Sequence, residues 1–160
     1  MWKWSYCSQK SQAQRAKKMK SYWNACLRQP YAELVTDGRK TIETRRRNTN
    51  IRGKFLIHAS KAIDKESAIL LDIDCSKLTT GALIGVAFLY GVKKYTNRKN
   101  FLADKDKHFS INFTTPKYGF LLKDAKELNK PIPMPGQLGF FDASRDIINR
   151  RLSHYKQLLL

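Results

Sequence analysis

Short apolar runs, interrupted by glycine, proline and charged residues, predict a series of short β-strands along most of this chain. The longest run, residues 82–92, is rich in β-branched side chains and contains glycines. It predicts a buried strand that bends at Gly85 or Gly91. Further strands are predicted at residues 22–27, 40–46, 54–59, 118–122 and 138–141.

Helical features are fewer. Pro30 is suited to begin a short helix over residues 30–35, and Gly38 is placed to end it. We also predict a helix over residues 60–71, and apolar positions at helical spacing predict another over residues 143–160.

Two segments lack both periodicities. Residues 93–107 are polar and basic and are predicted to form a loop. Residues 130–136 contain three prolines, which lack N–H donors and so exclude a helix or a central strand. Many short strands with few helices predict a small α+β domain built on a compact β-barrel.

The composition fits one globular domain. The chain has 160 residues, of which 42% are hydrophobic, and this length can bury a core of its own. No run of about 18 apolar residues is present, so we expect no transmembrane helix. We expect the domain to span residues 22–142, with the C-terminal helix packed on it.

The charge is unusual. Thirty-one Lys and Arg against thirteen Asp and Glu give a net charge of +18, which favours a polyanionic partner. RNA or another nucleic acid is the first candidate, and an acidic membrane surface is the second. Residues 1–21 contain no acidic side chain. They form a basic N-terminal arm that grips phosphates, an organellar transit segment, or an extension ahead of an internal start at Met19.

The cysteines and histidines favour neither a metal site nor a disulfide framework. The three cysteines are widely spaced without a CxxC pair, and the three histidines form no HxxxH motif. We therefore expect no metal and no cofactor. Free thiols suit a reducing compartment, so we expect a cytoplasmic protein.

Three motifs occur in a fixed order. Residues 29–32 read QPYA, residues 38–45 read GRKTIETR, and residues 52–60 read RGKFLIHAS. Together with later pieces up to about residue 142, they resemble the signature of the ASCH domain family. The resemblance implies a PUA-like fold, a small β-barrel with flanking helices, and a role in RNA binding or RNA processing. Some relatives hydrolyse N4-acetylcytidine, and some are described as ribonucleases.

The middle motif carries the candidate chemistry. Glu43 and Arg45 share one strand face, and Lys40 joins them if it lies at the start of the strand. Neighbouring cations would hold Glu43 ionised, whereas crowding by arginines would lower the pKa of Lys40. Lys40 and Glu43 are thus candidate catalytic residues, and Arg45 can bind a phosphate or a base carbonyl.

Basic residues with interleaved aromatic rings form a second candidate set for RNA binding. Its members are Arg45, Arg46, Arg47, Arg52, Lys54, Lys93, Lys94, Tyr95 and Tyr118.

Three functions remain open at this stage. The first is an RNA-binding module whose cleft receives a base or nucleotide. The second is an enzyme in the same cleft, an amidohydrolase of N4-acetylcytidine (a modified nucleoside) or a ribonuclease. Small bacterial amidohydrolases of this type carry their proposed threonine nucleophile where this chain has Glu43, which counts against that activity. The third is an adaptor whose basic surface meets an acidic protein.

Overall fold

The computed structural model describes residues 23–110, 113–114 and 117–142. The predicted N-terminal arm and C-terminal helix lie outside the described residues. Within them, one mixed sheet has six strands in the order β2-β5-β4-β3-β1-β6, and its central strands contain continuous runs of buried side chains. Strands β1 and β3 are parallel, and the other neighbours are antiparallel. The strands are β1 (Trp23–Gln29), β2 (Ile42–Arg45), β3 (Gly53–Ile63), β4 (Ala82–Tyr95), β5 (Lys117–Pro133) and β6 (Phe140–Asp142).

Short helices connect the strands. The described helices are α1 (Tyr31–Thr36), α2 (Lys65–Leu70), α3 (Arg98–Leu102) and α4 (Lys105–His108), with a 3-10 turn at Cys75–Lys77. Helix α1 matches the predicted helix after Pro30, and Gly38 adopts a positive φ of 81° just beyond it.

The two faces of the sheet carry separate apolar clusters. Alternate residues of β3 divide between them, because Ile57 lies in one cluster and Leu56 in the other. Helix α1 covers the first cluster with Ala32 and Val35. It packs so closely on β4 that a Cβ on Gly85 would overlap with the Thr36 side chain. The pairing register of β4 shifts at both Gly85 and Gly91, which confirms the predicted bend of this strand.

The sheet is strongly curled but open. Arg45 on edge strand β2 donates to the backbone oxygen of Cys26 on β1, although β5, β4 and β3 lie between these strands in the order. No pairing among the described residues joins β2 to β6. The mixed α+β sheet is therefore confirmed, whereas closure into a barrel stays a prediction.

The predicted end of the strand over residues 54–59 and the predicted start of the helix at residue 60 are both wrong. Residues 60–63 do not begin a helix, because β3 continues to pair with β1 as far as Ile63. Asp64 then accepts a hydrogen bond from the Ser67 N–H and caps α2.

The predicted loop over residues 93–107 is also wrong. Strand β4 extends to Tyr95, and Asn97 then caps α3 by accepting from the Asn100 N–H. Phe101 anchors this segment, because its ring stacks on His108 at a centroid distance of 4.1 Å and is fully buried.

Strand β5 is longer than predicted and contains two of the three prolines. It pairs with β4 up to Pro133, but β2 covers only its residues 118–121. The proline stretch is therefore an edge of the sheet. The Met134 N–H donates to Gly81 O, and successive backbone nitrogens of a strand point to opposite sides. The nitrogens of Pro131 and Pro133 therefore point away from β4, toward the open edge. The proline stretch is thus part of a strand, but of an edge strand and not a central one.

None of the helices in the described ranges is long and apolar enough to cross a membrane.

Candidate nucleic-acid-binding site

Lys40 is placed by backbone bonds outside the sheet ladder. Its N–H donates to Leu34 O at the end of α1, and the Thr41 N–H donates to Lys107 O in α4. Regular pairing with β5 begins only at Ile42. Lys40 therefore lies just before the strand, as the sequence analysis required for it to reach Glu43.

The Lys40 ammonium group is enclosed. The side chain is 2% exposed, and Nζ lies 2.9 Å from Ile42 O, 2.5 Å from His108 O and 3.3 Å from Glu43 Oε2. Three acceptors match the three N–H donors of an ammonium group. Burial lowers the pKa of Lys40, the Glu43 carboxylate opposes this, and Arg45 and Lys117 add to it. Burial is thus a larger cause than the crowding by arginines that we predicted.

Glu43 lies between two cations. Its other carboxylate oxygen, Oε1, is 3.1 Å from Arg45 Nε, but the Arg45 N–H is not aligned for a hydrogen bond. Arg45 instead donates through Nη2 to Cys26 O at 3.0 Å. The two side chains share one face of β2, two residues apart, as predicted from strand alternation. Both remain partly exposed, at 15% and 25%.

These side chains open into a cleft of about 400 Å³ between β1, α1 and β2. Lys40 and Glu43 lie on one wall together with Tyr31, whose ring centroid is 5.2 Å from Lys40 Nζ. The hydroxyl groups of Ser60 and Ser110 also line it. Among the described lining residues, Glu43 contributes the one carboxylate. This volume lies in the lower part of the range of about 300–1,000 Å³ typical of small-molecule sites.

Arg46 and Arg47 follow β2 on the solvent side. Both are exposed, and both line a second cavity that adjoins the cleft. Within the described residues neither guanidinium has a carboxylate in ion-pair distance, unlike Arg45.

The other predicted RNA-binding residues are not brought to the cleft. Arg52 donates to Thr49 O and Ile51 O and so stabilises its own loop. Lys54 lies opposite Phe88 in the β3–β4 ladder. Lys94 is exposed elsewhere on β4.

The two aromatic residues that we expected to stack on bases have structural roles. Tyr95 is fully buried, and its hydroxyl donates to Asp104, which also pairs with Lys93. A ring in this position cannot stack on a base, so the prediction for Tyr95 is wrong. Tyr118 is partly buried against the first apolar cluster, opposite Arg45 in the β2–β5 ladder.

Sequence reasoning missed several residues of the cleft, and two of them matter for binding, Tyr31 and Leu138. Tyr31 belongs to the QPYA motif, but nothing in that motif alone directs its ring toward Lys40. Leu138 was predicted to begin a strand over residues 138–141, but it lies in a loop before β6. It is 99% exposed and lines both this cleft and the adjoining cavity.

Potential metal ligands are dispersed. In the ranges that the structure describes, no three His, Cys, Asp or Glu side chains converge on a point.

Comparisons with known structures concern the fold. The crystal structure of ASCH from Zymomonas mobilis has a TM-score of 0.60 at 17% identity, covering 83% of this chain and 94% of that chain. The structure of a serine-to-alanine mutant of the same protein has a TM-score of 0.60 at 17% identity, covering 84% of this chain and 96% of that chain. The structure of a tyrosine-to-phenylalanine mutant has a TM-score of 0.56 at 18% identity, covering 84% of this chain and 98% of that chain. At these identities the likeness shows the fold.

A comparison with curated protein sequences finds no match. The sequence model of the ASCH domain, however, matches residues 26–131, which is more than half of the chain. The match contains the QPYA and GRKTIETR motifs entirely, and with them the residues that line the cleft except Leu138 and Gly139. This chain therefore belongs to the ASCH domain family.

Proposed function

We propose that this protein binds RNA and that the cleft between β1, α1 and β2 receives a single nucleobase. The family is generally linked to RNA binding, and the net charge of +18 favours a polyanion. The observation that carries the proposal is the pairing of Glu43 and Arg45 on one wall of a cavity of about 400 Å³.

A carboxylate next to a guanidinium offers a hydrogen-bond acceptor beside a donor. Cytosine and adenine present the complementary edge, because each has an amino group next to an unprotonated ring nitrogen. In the same position uracil presents the reverse pattern, a carbonyl oxygen where cytosine has its amino group and an N3–H where cytosine has its acceptor. Uracil would have to shift by one edge atom to use its N3–H and O2. The pair Glu43 and Arg45 therefore favours cytosine or adenine over uracil.

Lys40 contributes to this recognition indirectly, through its contact with Glu43. Its three acceptors leave no N–H for a base, so its contribution is to hold Glu43 Oε2 in position. Tyr31 provides an aromatic wall whose hydroxyl is bonded to Ser67 Oγ at 2.7 Å. The ring is therefore held in place before a base arrives.

The test compares oligocytidylate and oligouridylate of equal length by fluorescence anisotropy at about 150 mM salt, where nonspecific binding is weak. The wild type is expected to prefer oligocytidylate. Glu43→Gln is expected to reduce that preference by about tenfold, because a charge-assisted hydrogen bond contributes about 1.5–3 kcal/mol.

Asp37→Asn is the matched control. It removes the same charge from an exposed ion pair with Arg39, which lies outside the cleft. It is expected to leave the preference unchanged. Equal affinity of the wild type for both oligonucleotides, or an unchanged preference in Glu43→Gln, would contradict base recognition by this pair.

A second candidate function is hydrolysis in the same cleft. The partly exposed Glu43 carboxylate beside a buried lysine can activate water against the amide of N4-acetylcytidine, or assist RNA cleavage. Incubation with N4-acetylcytidine tests the first activity, with chromatography of cytidine as the readout. Turnover that Lys40→Ala and Glu43→Gln both abolish would favour the amidohydrolase. Cleavage of a labelled oligonucleotide with the same dependence would favour the ribonuclease.

A further inference from the structure

A second cavity of about 420 Å³ adjoins the cleft. The two cavities share Arg45, Leu138 and Gly139, so these residues form the boundary between them. The lining of the second cavity includes the basic residues Arg46 and Arg47 and the aromatic residues Phe120 and Phe140.

The arginines that line this cavity differ in whether an acidic side chain pairs with them. Arg45 belongs to the cleft, where it pairs with Glu43 and donates through Nη2 to Cys26 O. Arg46 and Arg47 are exposed, and in the described part of the chain no acidic side chain pairs with them. Two adjacent free guanidinium groups at a concave surface suit a phosphate group, which they can bind through paired N–H donors.

The apolar wall is rigid. Phe140 stacks on the buried Phe120 with the ring centroids 5.8 Å apart and meets Phe55 edge to face at 5.6 Å. A partly buried ring held in this way offers a flat surface to a ribose or to a second base.

Leu138 lies between the two cavities, and its 99% exposure is unusual for a leucine. The next residue, Gly139, adopts a φ of 81°, and its carbonyl oxygen accepts from the Cys26 N–H at 3.1 Å. The backbone is thus attached to β1 while the apolar side chain projects into solvent. Proteins that separate neighbouring bases use apolar side chains placed in this way.

We propose that the second cavity holds the phosphate and sugar of the nucleotide next to the one in the cleft, with Leu138 inserted between the two bases. The partner of this protein is then an RNA chain of at least two nucleotides and not a free nucleoside. This inference rests on the proposed function, because the first base occupies the Glu43 cleft.

The test measures the affinity of the full chain for cytidine and for tricytidylate by isothermal titration calorimetry. Tricytidylate is expected to bind at least about tenfold more tightly, since it adds charge-assisted contacts. Arg46→Gln/Arg47→Gln is expected to weaken tricytidylate by about tenfold and to flatten its salt dependence, while cytidine is unchanged. Leu138→Ala is expected to weaken tricytidylate by about threefold or more, and to weaken it more than cytidine, because Leu138 lines both cavities.

Matched controls remove the same groups elsewhere. Arg98→Gln/Lys99→Gln deletes two adjacent exposed cations of α3, and Leu70→Ala deletes an exposed leucine of α2. None of these three side chains lines either cavity. Both controls are expected to leave the ratio of the two affinities within about twofold of the wild type.

The outcomes separate the two proposals. If Glu43→Gln affects neither probe, the base-binding cleft is wrong. If Glu43→Gln weakens both probes but Arg46→Gln/Arg47→Gln has no more effect than its control, the cleft stands and the second subsite is overturned. Equal wild-type affinity for cytidine and tricytidylate also overturns it.

Discussion

Replacing Lys40 by methionine tests whether this lysine is a structural cation. Methionine preserves most of the side-chain volume, so the change removes the ammonium group while leaving little cavity. The oxygens of Ile42 and His108 then lose their partner inside a site where Lys40 is only 2% exposed. Each buried acceptor left without a partner costs about 1–3 kcal/mol.

The Glu43 carboxylate adds less to this cost. It is partly exposed and still has Arg45 beside it. We therefore expect Lys40→Met to lower the free energy of unfolding by about 2–6 kcal/mol, which is the cost of two buried acceptors left without a partner. Urea unfolding followed by tryptophan fluorescence or circular dichroism measures it.

Lys107→Met is the control, since Lys107 pairs with Asp104 at 3.2 Å but is 60% exposed. It should cost less than about 1 kcal/mol. The reasoning is refuted if the two variants are destabilised equally. In a double-mutant cycle with Glu43→Gln, we expect a coupling energy of about 0.5–3 kcal/mol.

Three further predictions concern the fold around the site. Gly85→Ala should cost about 1–3 kcal/mol, because its Cβ would overlap with Thr36, and Thr36→Ser should restore part of the loss in the same unfolding assay. Burial lowers the pKa of His108, so the unfolded chain binds a proton more readily. The free energy of unfolding should therefore fall as the pH drops below about 6.5, and His108→Gln should reduce that fall between pH 7.5 and 5.5. Asn97→Ala should cost about 1 kcal/mol in thermal unfolding by removing the cap of α3; no loss would contradict the capping role.

The features that could be predicted from the sequence depend on local periodicity. The apolar run of β4 identifies a buried strand, and its glycines identify where the pairing register shifts. Strand alternation likewise places Glu43 and Arg45 on one face without knowledge of the fold. These are properties of a few consecutive residues, and tertiary contacts did not override them.

The failures involve segments too short or too polar to show a period. Helix α3 has five residues, and its signals are one capping side chain at Asn97 and one apolar side chain at Phe101. The later part of β5 is polar because it lies at an edge of the sheet, so no apolar pattern indicates a strand there. Tyr95 lies among lysines in the sequence, and only the fold buries it against Asp104.

Net charge describes the whole chain, whereas binding depends on the charge that each side chain has left over. Lys40 is surrounded by three acceptors, Arg52 by two backbone oxygens, and Lys93 by the carboxylate of Asp104. These cations use part or all of their hydrogen-bonding capacity within the protein.

Arg46 and Arg47 differ, since no acidic side chain in the described residues pairs with them. Removing an internally paired cation should therefore change stability more than the salt dependence of RNA binding. Removing these two arginines should do the reverse, because only cations that contact phosphate release counterions from RNA. The two kinds of cation can be neighbours in the sequence. Arg45, which contacts Glu43 and Cys26 O, is followed directly by Arg46, and only contacts in the fold distinguish the two.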